Sequence, residues 1–230
     1  KAGGTSANPD LSISMTPGGT VYEDQTTAVT TIDTDSNYTS YGNIIGAADA
    51  KITGGQNHSR MLEFSGDGNF IIVGSENINT GRGEAIVYKY SNGSWGTWGQ
   101  TLTGEADYEY FGSAVAINND GTIIAVGAYN ADITPSGKGY SKIYQWDQTG
   151  NSGLGSWEIM LSAGGSKIQN TLSDRCGYCV ALSDNGLVFA HGAYAATQSG
   201  GASQTGAIYV YQWDQTADGG AGSWDLRATI

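Results

Sequence analysis

Residues 111–129 read FGSAVAINNDGTIIAVGAY, in which two apolar segments flank a short Asn/Asp/Gly turn and the second segment ends in Gly-Ala. Asp-Gly turns between such segments are typical of β-hairpins, because the glycine adopts the positive φ that a tight hairpin turn requires. The stretch therefore predicts one antiparallel hairpin.

The same hairpin pattern occurs twice more in the chain. Residues 176–194 read CGYCVALSDNGLVFAHGAY, and residues 58–76 read HSRMLEFSGDGNFIIVGSE. Each hairpin is followed by a Gly-led strand that contains Tyr, then by a turn and the tripeptide Gly-Ser-Trp. A repeat with a period of roughly 60 residues thus contains four short strands.

The apolar pattern indicates how these strands pack. Residues 123–127 are apolar on both faces, as expected of a strand that lies between two other sheets. No stretch has the 3.6-residue apolar period of a helix. Four-stranded sheets repeated in this way are typical of β-propeller blades, which cannot bury both faces alone. We therefore predict an all-β fold, a propeller-like array of four-stranded antiparallel blades with almost no helix.

The repeat also predicts the domain organisation. Three blades occupy residues 42–230, at about 42–100, 101–160 and 161–230. Residues 1–41 do not match the repeat and are predicted to be a linker or divergent strands. Because propellers typically close with four or more blades, we expect the three to be part of a larger propeller or a longer chain.

The middle copy, opened by Phe111–Gly112 and closed by Gly127–Ala128, resembles the FG-GAP repeat, the blade unit of integrin-α-type propellers. The third copy has Cys176–Gly177 at the opening, and the first keeps only Gly74–Ser75. The chain looks like the divergent, Trp-terminated variety found in bacterial and viral surface proteins. The resemblance implies a structural or adhesion module in an extracellular, cell-surface or virion-surface location, with a protein or cell-surface glycan as partner and as part of a larger assembly.

Two kinds of loop are candidate calcium sites. Asp33, Asp35 and Asn37 have the spacing of a calcium loop, but Tyr38 stands where the sharp-turn glycine is expected, which favours a polar loop. FG-GAP blades often bind calcium in the hairpin turn, yet each of these turns offers at most one acidic side chain (Asp67, Asp120 and Asp184). We predict no cofactor, with calcium as the alternative.

The run before the second hairpin holds the candidate ligand-binding residues. Glu105 and Asp107 could present carboxylates to a cation or a sugar, and Tyr108 and Tyr110 could stack on a sugar ring. A solvated connection between blades is the favoured alternative.

The sequence predicts no catalytic residues, and hence a chain that is not an enzyme. The two histidines, His58 and His191, fall at packed blade positions, and no known catalytic motif is present. Cys176 and Cys179 are interpreted as packing residues, with a disulfide or redox role as the alternative. A carbohydrate-binding propeller and a propeller-scaffold glycosidase or lyase remain the competing functions.

The charge of the chain argues against two classes of partner. The formal net charge is −12, with only ten Lys and Arg residues among 230. Binding to nucleic acid or to anionic membranes depends on clustered cations, so neither is expected. No apolar run approaches the ~18 residues of a transmembrane helix, and no membrane insertion is expected.

Overall fold

The computed structural model describes residues 61–131, 137–161, 165–169, 174–197 and 205–230. All the described residues except 91–95 belong to one compact unit, residues 54–90 with 96–230. The sequence-based candidates Asp33, Asp35, Asn37 and His58 lie outside the described residues.

The described strands form three antiparallel sheets, here called blades 1 to 3. Blade 1 consists of β1 (Met61–Phe64), β2 (Phe70–Ser75), β3 (Glu84–Ser91), β4 (Ser94–Thr97) and β5 (Leu102–Thr103), which pairs with β3. Blade 2 consists of β6 (Ala114–Ile117), β7 (Ile123–Ala128), β8 (Tyr140–Asp147) and β9 (Ser156–Ile159). Blade 3 consists of β10 (Cys176–Leu182), β11 (Val188–Ala193), β12 (Ala207–Asp214) and β13 (Ser223–Thr229).

Helix is confined to single turns within the described part of the chain. These are α1 (Ile78–Gly81), α2 (Gly150–Gly153) and a 3₁₀ turn at Asp218–Gly220. Even there the backbone is left-handed, with φ of 52° at Asn79 and 48° at Asn151. The predicted all-β fold is therefore confirmed. None of the described helices is long and apolar enough to cross a membrane.

Each blade packs against its neighbour face to face. β6 packs on β1 and β2, and β10 packs on β6, β7 and β8. We call the face toward the preceding blade the leading face and the face toward the following blade the trailing face. Because side chains alternate along a strand, Val126 of β7 packs in the core with blade 1 and Ala125 in the core with blade 3. Blade 2 is therefore buried on both faces, as in a propeller.

Glycines in the second strands permit this close packing. A Cβ on Gly74 would lie 2.1 Å from the carbonyl oxygen of Gly112, and a Cβ on Gly127 would lie 2.1 Å from that of Gly177. In both cases the oxygen belongs to the opening of the next blade. In blades 1 and 2 the glycine that closes the hairpin pattern therefore leaves the room that the next blade's backbone fills.

In blades 1 and 2 the start of the third strand also docks the next blade. Gly83 forms a parallel bridge with Phe111, and Gly139 forms one with Cys176. The amide of Phe111 donates to the carbonyl of Arg82 at 3.2 Å. Both glycines have positive φ, 79° and 67°, which a residue with a Cβ adopts at a cost.

The repeated tryptophans connect the outer parts of the blades. Trp157 Nε1 donates to the carbonyl of Trp98 at 3.0 Å, and Trp224 Nε1 donates to that of Met160 at 2.8 Å. The Gln100 side chain pairs with both backbone groups of Trp157. The Gly-Ser-Trp tryptophans of blades 2 and 3 thus bind the backbone of the preceding blade.

Candidate binding face

One edge of the array carries the loops between second and third strands together with the connections between blades. In blade 2 the end of β7 and the start of β6 meet at this edge, because Ala114 pairs with Gly127. In blade 3 Cys179 pairs with Gly192 in the same way. We call this edge the connection face. It brings together the acidic run predicted from sequence and a group of tyrosines, of which the sequence analysis singled out only Tyr110.

Four tyrosines on the connection face form a continuous series, here called the tyrosine row. Tyr110 stacks on Tyr129 with ring centroids 5.5 Å apart, and Tyr129 meets Tyr178 edge to face at 5.5 Å. Tyr178 meets Tyr194 at 4.6 Å. Tyr178 is 54% exposed and Tyr194 44%, whereas the first two are half-buried. The row crosses from blade 2 to blade 3 and presents ring surface to solvent.

Local backbone features position the row. Tyr129 and Tyr194 each follow the Gly-Ala that ends a second strand. Tyr178 lies in an irregular stretch of β10, where the register shifts between Cys176 and Cys179. Tyr110 has a φ of 57°, unusual for a bulky residue. The repeat marks Tyr129 and Tyr194 as equivalent residues, but it does not indicate their contact with Tyr178.

A polar group supports one end of the row. The Arg175 guanidinium lies 5.7 Å from the ring centroid of Tyr194, within the range of a cation–π contact. Its Nη1 donates to Asn130 Oδ1 at 2.8 Å, and Asn130 Nδ2 donates to the carbonyl of Tyr108 at 2.8 Å. These contacts connect the two blade openings beneath the exposed rings.

A buried carboxylate lies just before the opening of both blade 2 and blade 3. Glu109 Oε2 accepts hydrogen bonds from Tyr140 Oη at 2.9 Å and from the amide of Glu105 at 2.7 Å. Asp174 Oδ2 accepts one from Tyr209 Oη at 3.0 Å. Burial, reinforced by the Glu109 carboxylate, raises the pKa of Tyr140 well above its ordinary value. These hydrogen bonds hold the connections in place, and the carboxylates serve the fold.

The predicted acidic run is brought to the connection face with its carboxylates paired. Glu105 bonds to Lys142 at 2.8 Å and to Lys167 at 3.4 Å. The hydrogen bond from Lys142 holds the pKa of the Glu105 carboxyl below its ordinary value, although partial burial opposes this. Asp107 pairs with Arg82 at 2.9 Å, both half-exposed. Tyr110 joins the tyrosine row, whereas Tyr108 is exposed beside it with a φ of 65°.

The hairpin turns at the opposite edge use their acidic side chains within the turn. Asp120 Oδ1 accepts from the Thr122 amide at 3.1 Å and from Asn118 Nδ2 at 2.8 Å. Burial raises the pKa of the Asp120 carboxyl, but these hydrogen bonds and that of the Thr122 hydroxyl outweigh it, and the net pKa is lowered. Across the described ranges, no three His, Cys, Asp or Glu side chains gather in a way that could hold a metal ion.

The turns also bind one another. The amide of Asp67 donates to the carbonyl of Asn119 at 3.1 Å, and the amide of Asn119 donates to that of Asp184 at 3.0 Å. A ladder of turns therefore runs along this edge from blade 1 to blade 3.

His191 is a core residue, as predicted. It is 1% exposed, and its Nδ1 lies 3.1 Å from Ser141 Oγ. Its ring lies nearly perpendicular to those of Tyr209 and Tyr211. Burial lowers the pKa of His191 to about 4.

The two cysteines do not behave alike. Both are free thiols, and Cys176 is buried as predicted. The prediction that Cys179 is also packed is wrong, because Cys179 is exposed. Cys179 pairs with Gly192 as its equivalent Ala114 pairs with Gly127, but Ala114 is covered by the following blade, whereas the trailing face of blade 3 is exposed.

Comparison with known proteins agrees with the strand pattern. Residues 101–144, which contain β5 through most of β8, match the family model of the FG-GAP repeat. The resemblance of the middle copy to this repeat is thereby confirmed. Comparison with curated proteins gave no match.

The chain is also similar to several solved structures at low sequence identity. It is 11% identical to Sqt1 from Chaetomium thermophilum, with a TM-score of 0.47 over 77% of this chain and 37% of that one. It is 12% identical to Hsv2 from Kluyveromyces lactis, with a TM-score of 0.44 over 76% and 48%. It is 12% identical to the Dos1 propeller, with a TM-score of 0.36 over 67% and 31%. The chain thus spans less than half of the length of these structures.

Proposed function

We propose that the chain is a non-enzymatic structural or adhesion module at an extracellular, cell-surface or virion surface, and that it contacts its partner through the connection face. The observation that carries the proposal is the tyrosine row, whose two most exposed members, Tyr178 and Tyr194, are about half exposed. Tyrosine supplies a large, rigid contact area with a polar hydroxyl, and is enriched at protein interfaces for that reason.

Two further features support a contact role. The row lies beside loops that differ between the blades, and variable loops on a rigid scaffold commonly carry recognition. The nearest carboxylates, Glu105 and Asp107, are held in ion pairs with lysine and arginine. The buried Glu109 and Asp174 are engaged by tyrosine hydroxyls. Aromatic surface is thus the prominent chemistry that this face offers.

A carbohydrate is the second candidate partner, favoured by the exposed rings themselves. Sugar rings have an apolar face that packs on aromatic side chains, and the hydroxyl of each tyrosine adds a hydrogen-bonding group. The two candidates use the same surface and differ in the ligand, so one set of variants tests both.

The test compares the wild-type chain with the double variant Tyr178→Ala/Tyr194→Ala on a glycan array and on intact bacterial and animal cells. A matched control is Leu154→Ala, which removes an exposed apolar side chain at the end of α2, away from the connection face. Saturable binding to defined glycans that is lost in the double variant supports the carbohydrate candidate. If the wild type binds cells but no glycan on the array, and the double variant no longer binds cells, a protein partner is supported.

Two outcomes would overturn the proposal. Binding that survives in the double variant would remove the tyrosine row from the contact surface. Turnover of a polysaccharide that a single Asp or Glu substitution abolishes would show the chain to be an enzyme.

A further inference from the structure

The trailing face of blade 3 has the same apolar pattern as a face that is buried elsewhere in the array. On the trailing face of blade 2, Ala116, Ile123 and Ile143 are at most 5% exposed and pack against blade 3. The repeat places Ala181, Val188 and Val210 at the equivalent positions of blade 3. Val188 is 39% exposed, and nearby Ile208 is 45% exposed. Blade 3 therefore exposes a surface whose composition suits an interface.

Blade 3 also keeps the glycines that admit the backbone of a following blade. Gly206 is equivalent to Gly139, and Gly192 is equivalent to Gly127, although at Gly192 the side chain of Cys179 fills the space that the next blade's backbone fills at Gly127. A Cβ on Gly139 would lie 2.2 Å from the carbonyl oxygen of Cys176 in the next blade. A Cβ on Gly206, which also has positive φ, would meet nothing closer than 3.8 Å among the described residues. Within the described ranges, the backbone conformation used for docking is thus present without a docked neighbour.

Blade 3 also has residues at the positions whose backbone carbonyls accept interblade hydrogen bonds in the preceding blades. The Cys176 amide of blade 3 donates to the carbonyl of Lys138 in blade 2, and Thr205 stands at the equivalent position of blade 3. Trp224 of blade 3 donates to the carbonyl of Met160, and Arg227 stands at the position equivalent to Met160.

We propose that the trailing face of blade 3 is a docking surface for a further blade of the FG-GAP type. That blade opens with a residue followed by glycine, whose backbone displaces the Cys179 side chain from Gly192 and bridges to Gly206. Its fourth strand carries Gly-Ser-Trp, and the tryptophan donates to the carbonyl of Arg227. Continuity with the two interfaces already present carries the proposal, since the same positions recur at each. The inference does not depend on the proposed function of the connection face.

The experiment adds a blade of known structure to the full chain. Residues 102–161 are repeated directly after Ile230, which the repeat aligns with Thr101. This added blade contains no cysteine. The exposed Cys179 on the trailing face of blade 3 therefore reports docking through its reaction with Ellman's reagent, whereas Cys176 is buried.

Docking is expected to slow the reaction of Cys179 at least about tenfold relative to the unextended chain, because the covered thiol reacts only when the blades part. Ile208→Glu should restore fast reaction in the extended chain, because an unpaired charge resists burial. Leu154→Glu in the original blade 2 is the matched control and should leave the protection intact. Thermal unfolding of the unextended Ile208→Glu chain should match the wild type.

Two results would overturn the proposal. The first is an unchanged Cys179 rate in an extended chain whose circular dichroism shows that the added blade has folded. The second is a Cys179 rate in the unextended chain that falls with protein concentration, with a dimer in sedimentation, since a second copy would then occupy the face.

Discussion

At the scale of single residues, the buried polar groups separate fold from function most clearly. His191 takes the place that Val126 occupies in blade 2, and Ser141 takes the place of Ala85 in blade 1. In the core between blades 2 and 3, His191 Nδ1 lies 3.1 Å from Ser141 Oγ. They form a polar pair in an otherwise apolar layer, and His191 Nε2 has no hydrogen-bond partner among the described residues.

The buried histidine predicts a dependence of stability on pH. An unfolded histidine titrates near 6.5, whereas burial lowers the pKa of His191 to about 4. Between these values the unfolded chain binds a proton that the folded chain does not, so stability falls as pH is lowered through this window. We expect urea unfolding to give a free energy about 1 kcal/mol lower at pH 5.5 than at pH 7.5 from this residue.

The double variant His191→Val/Ser141→Ala tests the cause. It restores the residues that other blades use at these positions, and it leaves no buried hydroxyl without a partner. The difference in unfolding free energy between pH 5.5 and 7.5 should shrink by this amount. A double variant with the same pH dependence as the wild type would contradict the assignment.

Residue roles were predictable from sequence where they depend on local pattern. The packed position of His191 followed from its place in an apolar strand, and the buried Cys176 followed likewise. Cys179 did not, because its burial depends on a following blade, which covers the equivalent Ala114 but not Cys179. The buried Glu109 and Asp174 were missed because their partners, Tyr140 and Tyr209, lie far along the chain. The sequence did carry one signal for them, since Glu109 and Asp174 both stand two residues before the residue that opens a blade, Phe111 or Cys176.

At the scale of elements, the repeated glycines and tryptophans are best explained by contacts between blades. The hairpin and its turn were predicted from sequence, since alternation and Asp-Gly specify them locally. The docking of Gly127 on Gly177 could not be predicted, because neither residue marks its partner. The tryptophans were recognised from sequence only as part of the repeated Gly-Ser-Trp, and the structure adds the hydrogen bonds from Trp157 and Trp224 to the preceding blade.

A pair of glycine substitutions tests the docking role. Gly127→Ala places a Cβ 2.1 Å from the Gly177 carbonyl oxygen, so the blades must shift apart. Overpacking of this kind costs about 1–3 kcal/mol. Gly96→Ala in β4 is the matched control, because a Cβ there meets no described atom within 4 Å. Thermal unfolding should show a lower midpoint for Gly127→Ala only, and equal midpoints would refute the explanation.

At the scale of the whole molecule, the blades differ in how fully they are enclosed. Blade 2 packs between two sheets, and residues 140–144 of β8 are buried. In blade 3 one face is covered by blade 2, and the trailing face presents Val188 and Ile208 to solvent. In arrays that depend on nearest-neighbour contacts, an enclosed unit is more stable than a unit with one neighbour.

This difference predicts a gradient of local stability. Backbone amides of β7 and β8 should exchange with solvent more slowly than those of β12 and β13, because fewer contacts oppose the opening of blade 3. Hydrogen exchange followed by mass spectrometry resolves the two blades as separate peptides. Equal protection of β8 and β12 would contradict the gradient and would indicate that the trailing face is covered in solution.

The order of the blades followed from the sequence because the repeat is internal and regular. The connection face did not, because it depends on residues from different blades and on unusual backbone at Tyr108 and Tyr110. Residues other than glycine rarely adopt positive φ, so local pattern alone does not anticipate such positions. The recognition surface is therefore the part of this molecule that sequence periodicity describes least.

The stacked indoles give the assembly an optical signature. Trp98 directly follows β4 of blade 1, and Trp146 lies in β8 of blade 2. Their ring centroids are nevertheless 4.6 Å apart, with the ring planes inclined by 28°. At this separation the electronic transitions of the two indoles couple, and the coupled pair absorbs left and right circularly polarised light unequally in a way that neither ring does alone. The pair exists only while the two blades are joined. Because Trp146–Trp157 and Trp213–Trp224 also lie within 5.5 Å of each other, the difference in ultraviolet circular dichroism between the wild type and Trp98→Phe should follow the parting of blades 1 and 2.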